Sequence, residues 1–396
     1  MFASDSMPPL VDSEVAEACH AEKSASCFEK GQSTCLQSCS AEKIPLIDLG
    51  HFIAALPNPS EKKMGLQDLP AAAQEVVLQW KMAFSEFGFC QVTGHGVPDE
   101  VLETAFSKGR SFFALPASER LKYDIGKRYG EGGYKPQGVE QVNCTVSEPD
   151  GHGLLGTSKA KRPADWVESW LMGSTENDVF PTSVAGFQEA MERYWEQVIL
   201  LRRAIMCLTA CAVDLPVNYF QPFFQKGGVN ALKLAYYPPQ TTKEAEQLLD
   251  GQEMLRYAEH TDWTGFTILW QDHNLNGRQT APATDLKPPH SGLQVRLSNG
   301  DWIDCPPVPG AFTINAGDFI QAWTNDIFVS NTHRVCNPPT GDCTDRLSMV
   351  FFSGPDEGTW IESLPTCCGP NRPARYAPYN STMHLERKMN AGNKLL

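Results

Sequence analysis

The chain is organised around residues 260–270, which read HTDWTGFTILW. The stretch opens with a His-x-Asp pair, His260 and Asp262, and continues into an apolar run from Gly265 to Trp270 that is typical of a buried strand. Side chains two positions apart on a β-strand point to the same side, so we expect both polar groups to face one point. A His-x-Asp pair alone is more often a surface or capping pair than a pair of metal ligands.

Further polar positions lie downstream on short strand-like segments. His333 lies in SNTHRV (330–335), and Arg346 and Ser348 open RLSMVFF (346–352). Two imidazoles and one carboxylate form the facial triad of non-haem Fe(II) oxygenases. An Arg and a Ser on one strand face can hold a carboxylate, although such a pair is usually a solvated surface. The order of these features favours an iron site with an anion clamp.

Four other segments support this interpretation by their sequence and order. They are IPLIDL (44–49), GFCQVTGHGVP (88–98), YYPP (236–239) and PGAFTINAGD (309–318). From about residue 44 to about 355 the chain resembles the Fe(II)/2-oxoglutarate-dependent dioxygenases of the isopenicillin N synthase-like superfamily. The resemblance implies a mixed α/β, mainly β fold, a double-stranded β-helix (jelly roll) flanked by helices.

The resemblance also implies the cofactors and the residues that hold them. Fe(II) would be bound by His260, Asp262 and His333. The distal carboxylate of 2-oxoglutarate would be held by Arg346, Ser348 and Tyr237. Dioxygen would be the second co-substrate, and ascorbate is a candidate reductant. The asparagine that the family has before its two tyrosines is replaced by Ala235, which removes one contact to the co-substrate.

The expected reaction oxidises a C–H bond of a small organic metabolite, with release of succinate and CO2. Hydroxylation, desaturation and oxidative cyclisation all fit, and secondary metabolism is the expected setting. A first alternative is an oxidase of the isopenicillin N synthase type, which uses no 2-oxoglutarate. A second is a jelly-roll binding protein without catalysis, which an intact triad and clamp disfavour. Arg346 and Ser348 could clamp any carboxylate, and Tyr237 favours the keto acid.

Candidate substrate contacts are one lysine and four aromatic residues, Lys233, Trp263, Tyr134, Trp323 and Phe351. Strand alternation places Lys233 inside the barrel, where an unpaired ammonium is costly. We therefore expect it to pair with a carboxylate of the co-substrate or of the substrate. The alternative for the lysine is to extend to the barrel mouth, and for the aromatic residues it is core packing.

Several elements are predicted from periodicity and from helix-start signals. Apolar spacing predicts a helix over Ala71–Phe87 and a long core-packed helix over Phe187–Ala212, and a proline start signal predicts a helix from Pro98 to about Phe113. A loop from about residue 130 to 164 is a candidate lid, and residues 271–291 form an insertion. His95, between two glycines, is expected to be structural.

The chain divides into four predicted regions. They are a tail (1–43), a helical and strand region (44–225), the jelly-roll core (226–355) and a C-terminal segment (356–396). The tail lacks arginine and the apolar core of a secretory signal, and its cysteines are expected to be free thiols.

Charge and hydropathy limit the partners of the chain. The net charge of −14, without a Lys/Arg cluster, argues against a nucleic-acid partner. No apolar run approaches the roughly 18 residues that a membrane helix needs. We expect a cytoplasmic monomer or weak dimer that acts on a small molecule.

Overall fold

A computed structural model describes the chain in segments, which are residues 43–56, 64–125, 132–140, 145–146, 156–157, 164–173, 177–239, 255–271, 292–337 and 345–393. The predicted tail lies outside them except for Lys43. So does the insertion after Gln271, and so does most of the candidate lid.

The strands alternate with helices in the first half of the chain and dominate the second half. In chain order they are β1 (Leu46–Asp48), β2 (Phe89–Thr93), β3 (Gly133–Lys135), β4 (Thr145–Val146), β5 (Gly156–Thr157), β6 (Glu168–Met172), β7 (Asn230–Tyr237), β8 (Tyr257–His260), β9 (Phe266–Gln271), β10 (Leu293–Arg296), β11 (Trp302–Asp304), β12 (Phe312–Ala316), β13 (His333–Val335), β14 (Arg346–Ser353), β15 (Trp360–Ile361) and β16 (Tyr379–Asn380).

The helices are α1 (Gly50–Ala55), α2 (Ala71–Glu86), α3 (Asp99–Phe113), α4 (Ala117–Arg120), α5 (Phe187–Ala212), α6 (Asp318–Trp323) and α7 (Ser381–Asn393). The helix predicted over Ala71–Phe87 ends one residue earlier, and those ending at Phe113 and Ala212 end where predicted. Apolar periodicity sufficed for the first and the last of these helices, because each buries one apolar stripe against the core. Within the described segments, none of the helices is both long enough and apolar enough to cross a bilayer.

Two sheets form the jelly roll. The larger has the strand order β1-β2-β12-β9-β14-β7-β6-β3, and the smaller has the order β11-β10-β13-β8. In the larger sheet only the β1–β2 pair is parallel. A tight turn at residues 298–301 joins β10 to β11. The expected double-stranded β-helix flanked by helices is therefore confirmed.

The larger sheet has two faces with different cores. One face packs on the helices, where Leu234, Met349 and Phe351 belong to the same apolar cluster as Met191 and Tyr194 of α5. The other face shares a smaller cluster with the second sheet, in which Ala235 and Tyr237 of β7 pack with Val295 and Val335. Strand alternation sends neighbouring residues to opposite cores.

Candidate metal centre and co-substrate site

A cavity lies between the two sheets, and its wall is made by both. The larger sheet contributes residues of β2, β7, β9, β12 and β14, and the smaller contributes residues of β8, β10 and β13. The predicted metal ligands and the predicted carboxylate clamp all belong to this wall. The alternation of β7 also places Lys233, Ala235 and Tyr237 on it, as the sequence predicted.

Three side chains converge at one end of the cavity. His260 ends β8 and is paired in register with His333 on β13. Their Nε2 atoms lie 3.6 Å and 3.9 Å from Oδ1 of Asp262. In the part of the chain that the structure describes, this is the one group of three possible metal ligands with all donor atoms within 4.8 Å of one another.

The route by which Asp262 reaches His260 differs from the prediction. Strand β8 ends at His260, so the two residues do not share a strand face, and Asp262 lies in the turn that follows. The turn is supported by the start of α6, where the backbone N–H groups of Asp318 and Phe319 donate to the carbonyls of Asp262 (2.9 Å) and Thr264 (3.0 Å). A Cβ on Gly317 would lie 2.5 Å from the carbonyl oxygen of Thr264, so a glycine is needed there.

Hydrogen bonds orient all three side chains toward a common point. Nδ1 of His260 donates to the carbonyl of Ala258 (2.7 Å), and Nδ1 of His333 donates to that of Asn331 (3.2 Å). A carbonyl can only accept, so each Nε2 keeps a lone pair for a metal.

The carboxylate of Asp262 is fixed in the same manner. Its Oδ2 accepts hydrogen bonds from Thr267 Oγ1 (2.5 Å) and Asn315 Nδ2 (2.6 Å), which leaves Oδ1 toward the two imidazoles. Sequence reasoning missed both supporting residues. Signals for them existed, because Asn315 lies in the PGAFTINAGD segment and Thr267 lies on the face of β9 that carries Leu269 to the cavity.

Burial and mutual charge set the protonation of these groups. Burial, aided by the nearby His333, lowers the pKa of His260 to about 3. Burial disfavours ionisation of Asp262, but the two histidines and the hydrogen bonds from Asn315 and Thr267 outweigh it and lower the pKa of the carboxyl group. A neutral imidazole and an ionised carboxylate are the forms that bind a metal. The donor set therefore fits a divalent iron with open coordination positions.

The predicted clamp lies on two paired strands. Arg346 and Ser348 of β14 stand opposite Tyr237 and Ala235 of β7. One guanidinium nitrogen of Arg346 donates to Oε1 of Gln271 (2.9 Å). Gln271 was not among the site residues predicted from the sequence. The Arg346 guanidinium carbon lies 5.4 Å from the centre of the Tyr237 ring.

Two hydroxyl groups in the clamp suit a bound carboxylate. The Ser348 hydroxyl is buried and has no hydrogen-bond partner within the described part of the chain. Burial raises the pKa of Tyr237, so its phenol stays protonated and can donate. A buried donor without an acceptor is costly, and a ligand carboxylate would satisfy it.

Lys233 has an anionic partner within the protein that the sequence did not predict. Its ammonium group pairs with the carboxylate of Glu140, in the segment after β3, and donates to the Tyr257 hydroxyl at 3.2 Å. Only 8% of the Lys233 side chain is exposed, so the group does not extend into solvent. A carboxylate of the protein itself therefore takes the place that we had assigned to a ligand.

Three of the four predicted aromatic contacts lie in the helical core and outside the described cavity wall. Tyr134 donates to Glu168, Trp323 packs against Phe220, and Phe351 packs against Trp195 of α5. All three belong to the larger apolar cluster, the arrangement that the alternative of core packing describes. The fourth, Trp263, is half-buried beside Asp262 and does not belong to the described wall either.

His95 has the structural role that we expected. Its Nδ1 accepts from the backbone N–H of Val97 (3.1 Å), so Nε2 carries the proton and donates to the carbonyl of Gly310 (3.2 Å). Both ring nitrogens are used to hold the turn, and neither remains for a metal.

The fold and this site together define a class, the jelly-roll oxygenases with a two-histidine, one-carboxylate iron site. Comparison with known proteins agrees with that class. Residues 228–355 match the 2OG-Fe(II) oxygenase superfamily, and residues 44–189 match the N-terminal region described for a non-haem dioxygenase in morphine synthesis.

Relatives are found in fungi and plants. The chain is 28% identical over 372 residues to the 2-oxoglutarate-Fe(II) type oxidoreductase ppzC of Metarhizium majus. The aligned residues make up 90% of this chain and 89% of the relative. The chain is also 28% identical over 326 residues to the homoarginine-6-hydroxylase 2-ODD-233 of Oryza sativa subsp. japonica, with 82% and 89% covered. A full-length protein of Neurospora crassa, solved in complex with alpha-KG, superposes with a TM-score of 0.68 at 25% identity, covering 88% of this chain and 96% of that one.

The chain belongs to the 2-oxoglutarate- and Fe(II)-dependent oxygenases of the isopenicillin N synthase-like superfamily. It is an oxidoreductase of the dioxygenase type, and its cofactors are Fe(II) and 2-oxoglutarate. The family assignment made from the sequence is thereby confirmed.

Proposed function

We propose that the cavity oxidises a C–H bond of a small organic molecule, with His260, Asp262 and His333 holding Fe(II). The convergence of these three donor groups, with His260 kept neutral and Asp262 kept ionised, is the observation that carries the proposal. Bound Fe(II) would supply the activation of dioxygen, coupled to decarboxylation of 2-oxoglutarate. The protein would supply orientation and a cavity shielded from water.

In this proposal the distal carboxylate of 2-oxoglutarate lies against Arg346, Ser348 and Tyr237. The guanidinium group provides charge, and the two hydroxyl groups provide donors. The clamp is supported on its far side by Gln271, which holds one guanidinium nitrogen at 2.9 Å. Gln271 lies on β9 and in turn donates to Thr313 of β12 at 2.9 Å, so the clamp on β7 and β14 is tied to two further strands.

The proposed setting is secondary metabolism, and the proposed partner is a small molecule. Relatives named 2-oxoglutarate-dependent dioxygenase include citB of Monascus ruber and frbJ of Dothideomycetidae, which supports a biosynthetic role. The Neurospora crassa protein was also solved with thymine, a small uncharged ring. We further propose a cytoplasmic monomer or weak dimer that does not bind nucleic acid, in keeping with the net charge of −14.

The decisive experiment separates the 2-oxoglutarate-dependent oxygenase from the oxidase. Anaerobic protein with Fe(II) should develop a visible charge-transfer band when 2-oxoglutarate alone is added. Admission of oxygen should then release succinate, in step with product once a substrate is present. If no band appears and product forms without succinate, the protein is an oxidase, and Arg346 holds a carboxylate of the substrate.

A further inference from the structure

A second polar group lies on the cavity wall beside the metal ligands and the clamp. It consists of Lys233, Tyr257 and the carboxylate of Glu140 behind them. The Lys233 ammonium pairs with Glu140, donates to the Tyr257 hydroxyl at 3.2 Å and lies 4.7 Å from the centre of the Tyr257 ring. That ring in turn contacts the metal ligand His260, with 5.0 Å between the ring centres. The group therefore borders the place where a substrate would meet the iron.

Glu140 is built into the structure as a carboxylate. Its side chain is 12% exposed, and it accepts hydrogen bonds from Lys233 and from the Ser169 hydroxyl of β6. Burial opposes its ionisation, but Lys233 and Lys135 outweigh burial and lower its pKa. Lys135 lies outside the described cavity wall, whereas Lys233 is part of it. The ammonium that faces the cavity thus has a permanent counter-charge inside the protein.

The other charges of the site balance without Lys233. The double charge of Fe(II) and the charge of Arg346, less that of Asp262, match the two carboxylates of 2-oxoglutarate. The remaining wall is mostly apolar, with Phe89, Leu293, Val335, Val350 and Phe352. On the described wall no further cation is available to pair with a charged substrate. A substrate carboxylate would have to compete with Glu140 for Lys233 and would lose its hydration in an apolar cavity.

We propose that Glu140 is a specificity-determining residue which neutralises Lys233, so that the cavity selects an uncharged substrate with a hydrogen-bond acceptor. An ammonium has three donors, and Glu140 and Tyr257 take two of them. The third would donate to a carbonyl or hydroxyl oxygen of the substrate and so orient it toward the iron. This inference rests on the proposed function, because it concerns the substrate of the same iron site.

The test uses two probes that differ in charge and share one skeleton, phenylacetate and phenylacetamide. Binding is measured by saturation-transfer NMR on full-length protein loaded with Zn(II) and N-oxalylglycine, an inert analogue of 2-oxoglutarate. Wild-type protein should prefer the amide. Glu140→Gln frees the ammonium and should shift the ratio of affinities toward the acid by about tenfold or more, the effect of one charge-assisted hydrogen bond.

Two further variants make the shift specific to the ion pair. Lys233→Gln removes the ammonium from the cavity wall and leaves Lys135 as the remaining cation beside Glu140, so the ratio should move further toward the amide. Either variant tests the proposal if the other fails to fold. Lys388→Met is the matched control, because Lys388 of α7 is also a buried lysine with a carboxylate partner, Asp318 of α6 (3.0 Å), and both lie outside the described cavity wall. The control should keep the wild-type ratio.

Three outcomes overturn the proposal. They are a wild-type preference for the acid, the same ratio in wild type and Glu140→Gln, and an equal shift in Lys388→Met. Binding of 2-oxoglutarate to wild-type protein with Fe(II), measured on the same preparation, separates the two levels of argument. If 2-oxoglutarate binds normally but Glu140→Gln does not change the ratio of affinities, only the proposed substrate selectivity is rejected. If 2-oxoglutarate does not bind, the proposed function itself is rejected.

Discussion

The two faces of strand β14 differ in chemistry although their residues alternate along one segment. Toward the helices it presents Leu347, Met349 and Phe351, each with 0% exposed surface and each in the large apolar cluster. Toward the cavity it presents Arg346, Ser348, Val350 and Phe352. The side chains on the helix face are packed against other apolar side chains of the protein. The cavity face instead carries a buried hydroxyl group, that of Ser348, which has no hydrogen-bond partner within the described part of the chain.

The residues on the helix face stabilise the fold, whereas the polar residues on the cavity face are placed to bind a ligand. Burial of an aliphatic or aromatic side chain stabilises the folded state by roughly 1.5–3 kcal/mol. A buried hydroxyl without a partner, such as that of Ser348, costs about 1–3 kcal/mol instead. The packing of the helix face offsets the cost of the cavity face. Substitutions on the helix face should therefore lower the free energy of unfolding, whereas substitutions on the cavity face should mainly weaken ligand binding.

The largest effect should come from the metal ligands on the cavity side. His333→Ala should abolish turnover and weaken Fe(II) binding, because a facial site has no spare protein ligand. Far-UV circular dichroism should still show a folded protein. The measurement is iron content after gel filtration together with succinate release. Retained iron and activity would show that His333 is not a ligand.

Arg346→Leu should have the next largest effect. A bound carboxylate would lose its buried partner, at a cost of about 3–5 kcal/mol, which weakens 2-oxoglutarate binding by more than a hundredfold. Iron should stay bound. Arg202→Met is the control from the helix side, because Arg202 of α5 is equally buried and packs on the Phe224 ring at 4.3 Å. Similar losses of 2-oxoglutarate affinity in both variants would contradict the clamp.

Adjacent phenylalanines provide a direct test of the two faces. Phe351→Ala should lower the free energy of unfolding by about 3–5 kcal/mol, because it leaves a cavity against Trp195. Phe352→Ala should cost less, since its ring is only half-buried and faces the open cavity. Urea unfolding measures both. A larger loss for Phe352 would reverse the assignment of faces.

The elements that the sequence predicted well are those in which local pattern and packing agree. Helix α5 carries an apolar stripe over its whole length, and β7 alternates, so both were predictable from periodicity. The proposed metal ligands and the proposed clamp could be selected from the sequence because each lies in a short motif. Residues an even number of positions apart on a strand share a face, so the position of Arg346 would also have placed Phe352, and not Phe351, on the cavity wall.

One missed residue, Glu140, and the turn that carries Asp262 depend on contacts between distant parts of the chain. Glu140 lies 93 positions from Lys233 and comes from an irregular segment after β3, where no periodicity indicates direction. The turn that carries Asp262 has a similar cause, because its carbonyls accept backbone hydrogen bonds from the start of α6, more than fifty residues away. Contacts of this kind depend on the folded topology and have no local signature.

The smallest effect that we predict concerns the hydrogen bond behind Asp262. Thr267→Val keeps the shape of the side chain and removes the donor to Oδ2, so the carboxylate is held by Asn315 alone. Loss of such a supporting bond weakens metal binding by about 10- to 100-fold, and Fe(II) affinity should fall by this factor. Thr313→Val is the matched control on β12, since Thr313 accepts a hydrogen bond from Gln271, which supports the clamp. This control should weaken 2-oxoglutarate binding and leave the Fe(II) affinity unchanged. An equal loss of Fe(II) affinity in both variants would show that the Thr267 hydrogen bond has no specific effect on the metal site.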